Sequence, residues 1–157
     1  MGVRKVAIAV MAYWLLTSGC AFFKYQPDER TEFRPHPLGM NIYNLSESPL
    51  TEDEWERISD SVLDAYNDMT ICANGYERFF DALLKKPIVI IPSRDISILW
   101  TDVSGFTDLQ SIFLRRDRSD ISRIRHEWGH LLLFMSGEHV LGDIFHTDGI
   151  FQKCAIR

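Results

Sequence analysis

One segment constrains the fold of this chain more than any other. Between about Ser119 and Met135, Ile121, Ile124, Trp128, Leu131, Leu132 and Met135 recur at helical spacing, so one continuous apolar stripe must be buried. The same helix carries His126-Glu127-Trp128-Gly129-His130. Positions i and i+4 lie one above the other on a helix, so His126 and His130 can present both imidazoles to one metal ion. Arg123, His126, His130 and Leu133 fall on a different face from the stripe, which predicts histidines turned to a cleft rather than to the core. Glu127 stands about 100° further round, within reach of a water beside such a metal. Ser119 or Asp120 caps the helix start and Gly137 its end. Gly129 leaves the helix narrow beside the histidines, for a substrate backbone or for a close-packed neighbour.

A second helix opens at Thr51, where Thr51 and Glu54 spell a capping box and Glu52 and Asp53 add acids to the first turn. Trp55, Ile58, Val62, Ala65, Tyr66 and Met69 form its core stripe. Asn74-Gly75 marks a turn, and Tyr76 to Leu84 reads as a shorter helix with Phe79, Phe80 and Leu83 inward. Ile88 to Ile91, bounded by Pro87 and Pro92, reads as a buried strand. Ser97 to Thr101 reads as another short strand, and Gln110 to Arg116 as one with Ile112 and Leu114 on one side. Residues 21–50, interrupted by Pro27, Pro35, Pro37 and Pro49, read as a tether in which Asn41 to Leu45 forms a short strand. The fold class is α+β: a small mixed sheet packed against a backing helix and the histidine helix.

The N-terminus reads as a lipoprotein signal, the alternative being an ordinary secretory signal or an N-terminal anchor helix. Arg4 and Lys5 precede an apolar run, Val6 to Leu16, too short to span a bilayer comfortably. The run ends on Leu16-Thr17-Ser18-Gly19-Cys20, which resembles the lipobox of bacterial lipoproteins, although Thr17 stands where leucine is commonest. The resemblance implies a signal peptide over 1–19, a lipid on Cys20, a lipid-attached tether over 20–50 and a folded domain over 51–157. Ala21 and Phe22 follow the cysteine, and the absence of Asp there implies retention at the outer membrane of a bacterial envelope. Removing 1–19 takes two basic residues and no acidic ones, so 15 basic against 22 acidic residues leave a charge of −7 rather than −5. An acidic domain without a Lys/Arg cluster is a poor partner for nucleic acid. With Cys20 acylated, Cys72 and Cys154 remain as an even pair in an oxidising compartment, which predicts a disulfide between them.

A catalytic zinc takes three protein ligands and one open position, and the helix supplies two. The tail offers Glu138, His139, Asp143, His146 and Asp148 for the third. The extended metzincin pattern is not met, since Leu133 and Ser136 stand where it has glycine and histidine. Gly142 to Cys154 is similar to the tail of small bacterial zincin-like metallopeptidase lipoproteins, the arrangement extending over roughly 50–154. That resemblance implies His146 as third ligand; the tail residues themselves leave His139 as competitor, as ligand or oxyanion stabiliser, and Asp148 as a weaker ligand. It also implies that the strand before the histidine helix is an edge strand that pairs with substrate. The function implied is a lipid-anchored, zinc-dependent peptidase acting on peptide or protein in the envelope, with zinc-activated water and Glu127 as general base. The alternative is a catalytically inactive, zinc-stabilised binding or structural lipoprotein.

Overall fold

The computed structural model describes residues 25–93, 97–98, 101–102, 105–138, 146 and 149–156. Cys20 and the expected signal peptide lie outside them. No helix among the described residues is long and apolar enough to cross a membrane.

The fold is α+β. Five strands, β1 (Glu32–Pro35), β2 (Asn41–Asn44), β3 (Ile88–Ile91), β7 (Ile112–Arg115) and β6 (Gly105–Thr107), form a mixed sheet in that spatial order. β2, β3 and β7 are parallel, while β1 and β6 pair antiparallel at the two edges. A separate hairpin pairs β4 (Ser97–Ile98) with β5 (Thr101–Asp102), where a single strand was predicted. The helices are α1 (Glu52–Cys72), α2 (Phe80–Leu83, entered through a 3₁₀ turn at Glu77–Phe79), α3 (Ile121–Ser136) and α4 (Gly149–Lys153).

The domain starts earlier than expected. Residues 32–50 are not a tether: β1 and β2 belong to the sheet, and Tyr25, Met40, Ile42 and Leu50 are buried. The prolines misled because Pro35 ends an edge strand, where a missing N–H removes no ladder bond. The parallel pairing of β2 with β3 explains α1, which is the crossover between them.

Both faces of the sheet are covered, which is why Ile88–Ile91 is apolar throughout rather than alternating. Ile42, Ile88, Ile90, Ile112 and Leu114 join the stripes of α1 and α3 in the main core. Val89, Ile91 and Phe113 form a second cluster with Tyr25 behind the sheet, and Phe106 stacks on its cross-strand partner Phe113 at 4.5 Å. The capping box at Thr51–Glu54 forms as predicted. Arg116, just after β7, donates a fork of hydrogen bonds to Glu54 at 2.7 and 2.6 Å and ties down Ser48 as well. That guanidinium, with the Thr51 backbone N–H, holds the Glu54 carboxyl down to about 2.

Candidate metal centre

α3 forms because its cap and its stop are both specified. The Asp120 side chain accepts from the Arg123 N–H, and Gly137 ends the helix at φ +76°, where a side chain would be strained. Ile124, Trp128, Leu131 and Leu132 reach the core as predicted, with Ile121 and Met135 half-buried at its ends. The opposite face differs from expectation. The C-terminal segment roofs part of it: His126 and Leu133 are buried, as are Glu127 and Gly129, while Arg123 and His130 stay half-buried. Ile150, Phe151 and Ile156 supply the roof.

The roof brings a third histidine to the pair. The Nε2 atoms of His126 and His130 stand 3.1 Å apart. The His146 ring centroid lies 4.5 Å from that of His126 and 5.1 Å from that of His130. One ligand nitrogen from each of the three falls within 4.8 Å of the others, a cluster able to hold a metal ion. Two nitrogens about 2.0–2.1 Å from a tetrahedral ion stand roughly 3.3–3.4 Å apart, close to the His126–His130 spacing. The donors are three imidazole nitrogens, His126 buried and His130 and His146 half-buried, a set that suits a borderline divalent ion better than calcium or magnesium. His146 adopts φ +53°, a left-handed conformation that costs on the order of 1 kcal/mol for a residue with a side chain and is met by histidine more often than by most. Of the competing tail ligands, His139, Asp143 and Asp148 lie outside the described residues, and Glu138 is turned elsewhere, to Tyr76.

Phe151 backs the three rings, its centroid 5.6, 5.0 and 4.6 Å from His126, His130 and His146. Gly129 permits this approach, since a Cβ there would lie 3.1 Å from two Phe151 ring atoms. The glycine of the motif therefore admits the protein's own tail, the close-packing reading. Glu127 is 3 % exposed, and its carboxylate reaches the edge of the sheet: a Cβ built on Gly105 in β6 would lie 3.1 Å from Glu127 Oε1. The strand immediately before α3, β7, is interior rather than an edge. The edge beside the motif is β6, which folds back on β7 and was not recognised from the sequence.

Three anchors hold the roof. Cys72, the last residue of α1, is bonded to Cys154, with Cα atoms 5.0 Å apart, as predicted from the cysteine count. Arg125 of α3 donates to the Cys154 carbonyl and to Asp68 of α1. Lys153 donates to the Asn74 carbonyl at 3.0 Å. Neither Phe151 nor Arg125 was singled out from the sequence; an aromatic in a short tail was the only available signal.

The remaining described histidine shows what a purely structural one looks like. His36 Nδ1 accepts from the Leu38 N–H at 3.2 Å, so its Nε2 carries the proton given to the Ser59 carbonyl at 3.1 Å. Burial pushes its pKa down, and neither nitrogen faces another histidine.

Comparison with known protein families, curated proteins and solved structures found no match to the chain.

Proposed function

We propose that the protein is a zinc-dependent peptidase with a zincin-like arrangement, anchored in a bacterial envelope by a lipid on Cys20. The observation that supports it most is the delivery of His146, ten residues past the end of α3, to the two histidines of the helix, with Glu127 beside them. In this reading His126, His130 and His146 hold the metal. Zinc, when bound there, supplies Lewis-acid polarisation of a carbonyl and makes water acidic near neutral pH.

The residues of the chain do the rest. Glu127 accepts a proton from the attacking water and returns it to the leaving amine. Its burial removes competing solvent from the carboxylate, and its position on α3 is fixed by the same turn that places His126. β6 is the edge of the five-stranded sheet on the side of Glu127, so a peptide in strand conformation is the substrate class this reading favours.

Hydrolysis of a diverse peptide library by mature protein, compared with Glu127→Gln, tests the reading. The variant is expected to keep its metal and lose turnover by at least about a hundredfold. Equal cleavage by both proteins would overturn the role of Glu127. No cleavage by metal-loaded wild type would favour the inactive, metal-stabilised binding lipoprotein instead.

A further inference from the structure

Two of the three candidate ligands are placed by a helix, and one is not. His126 and His130 sit on consecutive turns of α3, so the helical backbone fixes where their rings can point. His146 belongs to no helix or strand and adopts φ +53°. The direction of its ring therefore depends on what it packs against rather than on a regular backbone. Phe151 supplies such a contact: its ring centroid lies 4.6 Å from that of His146, with the planes 41° apart. The same ring meets His126 at 5.6 Å and His130 at 5.0 Å, both edge-on. One phenyl ring thus touches all three imidazoles, at separations where aromatic pairs attract.

Phe151 is itself pinned. It is 1 % exposed, and its ring lies so close to α3 that only a glycine fits at position 129. Its carbonyl accepts from the Ile156 N–H at 3.0 Å, and the Ile150 carbonyl accepts from the Cys154 N–H at 2.9 Å. The turn that carries the ring is therefore closed by its own backbone. Cys154, three residues on, is bonded to Cys72 of α1, and its carbonyl accepts from Arg125 of α3. The ring is thus anchored to two long helices, and none of these contacts runs through residues 147–148.

Resting on the metal reading above, we infer that Phe151 is a positioning residue for the metal centre: its ring, anchored through α4 to α1 and α3, holds the His146 imidazole in register with His126 and His130. Phe151 donates nothing to the ion. Its removal leaves all three ligands in the chain but widens the set of directions open to the third, and metal affinity falls for that reason. The effect passes through His146, because the helix goes on placing the other two without help.

Cobalt(II) titration of the full mature protein, followed by its visible ligand-field absorption, tests this. Phe151→Leu keeps an apolar side chain in the buried position and removes the flat ring. It is expected to weaken cobalt binding about tenfold, within the range for groups that orient a ligand. Its bands at saturating cobalt should move from those of wild type towards those of His146→Ala. In the His146→Ala background the same change should cost less than about threefold, since the side chain it orients is gone. Should Phe151→Leu fail to fold by circular dichroism, Phe151→Met, unbranched and able to fill the same space, is read by the same outcomes. Should His146→Ala bind cobalt too weakly to titrate, the affinity and bands of the Phe151 variant against wild type decide alone. Wild-type affinity and bands in that variant, or an equal loss in both backgrounds, would overturn the inference while leaving the metal site standing. Wild-type protein that binds no cobalt would overturn the metal reading itself.

Discussion

Replacing Cys72 and Cys154 together by alanine removes the bridge that spans 82 residues and closes the C-terminal segment over α3. In the chain-entropy account, a loop of that length restrains the unfolded state by about 4.5 kcal/mol at 25 °C. Residual structure in the unfolded chain reduces that, so a loss of about 2–4 kcal/mol is expected. At roughly 4 °C per kcal/mol for a domain of this size, the midpoint of thermal unfolding should fall by about 8–16 °C. The loss should be local first, because Ile150, Phe151 and Ile156 keep their burial only while the segment is docked. Their amides should exchange well before those of α1. The assay compares oxidised wild type, the double variant and wild type reduced by a dithiol. Midpoints within about 3 °C of one another, with exchange in the tail unchanged, would show that packing and Arg125 hold the roof without the bridge.

Three further outcomes follow from particular contacts. Gly129→Ala gains about 1 kcal/mol of helix propensity but drives a Cβ into the Phe151 ring, an overpacking cost of about 1–3 kcal/mol. A metal titration should therefore show weaker binding with little or no gain in thermal midpoint, whereas a more stable variant with unchanged affinity would contradict the close-packing role. Gly105→Ala places a Cβ 2.9 Å from the Phe113 carbonyl and 3.1 Å from Glu127 Oε1, so peptide hydrolysis should fall further than metal content, measured on the same preparation. Glu54 titrates near 2 in the fold against an ordinary 4.5, so its contribution is full above about pH 4.5 and is lost as pH falls towards 2. The shift corresponds to about 3 kcal/mol before solvent screening and nearer 1–2 kcal/mol after it. Urea unfolding of wild type and Arg116→Ala should therefore differ by less at pH 3 than at pH 6, and a gap that stays constant would place the worth of Arg116 in its contacts with Ser48 and Pro49 instead.

What the sequence made legible was local. Thr51 with Glu54, Asp120 and Gly137 mark helix ends through bonds made within four residues, and each formed. The paired histidines and the disulfide were also readable, one from helical phase and the other from the parity of cysteines. What was hidden depends on residues far apart in the chain. β1 went unread, and β2, read as a short strand, looked like part of a tether because its parallel partner β3 lies beyond α1 and the pairing of Ile42 with Ile88 leaves no local trace. β6 was missed because three residues around a glycine carry too little pattern, and its place as the edge beside Glu127 follows only from folding back on β7. The partial roofing of the histidine face has the same origin. Helical phase separates it correctly from the core stripe, but whether that face meets water or a roof was decided by Phe151, more than twenty residues away. Likewise the Tyr76–Glu138 contact joins positions 62 residues apart.

Three histidines, two from one helix and one from the roof, are proposed to hold a single metal ion. Metal content of mature wild-type protein, measured beside His126→Ala, His130→Ala and His146→Ala after dialysis against equal zinc, addresses it most directly. Wild type should carry about one zinc per chain and each of the three variants should lose most of it, with His36→Gln retaining wild-type content as the structural control. Stoichiometric zinc that survives His146→Ala would remove the third ligand, and zinc that survives all three would contradict the site altogether.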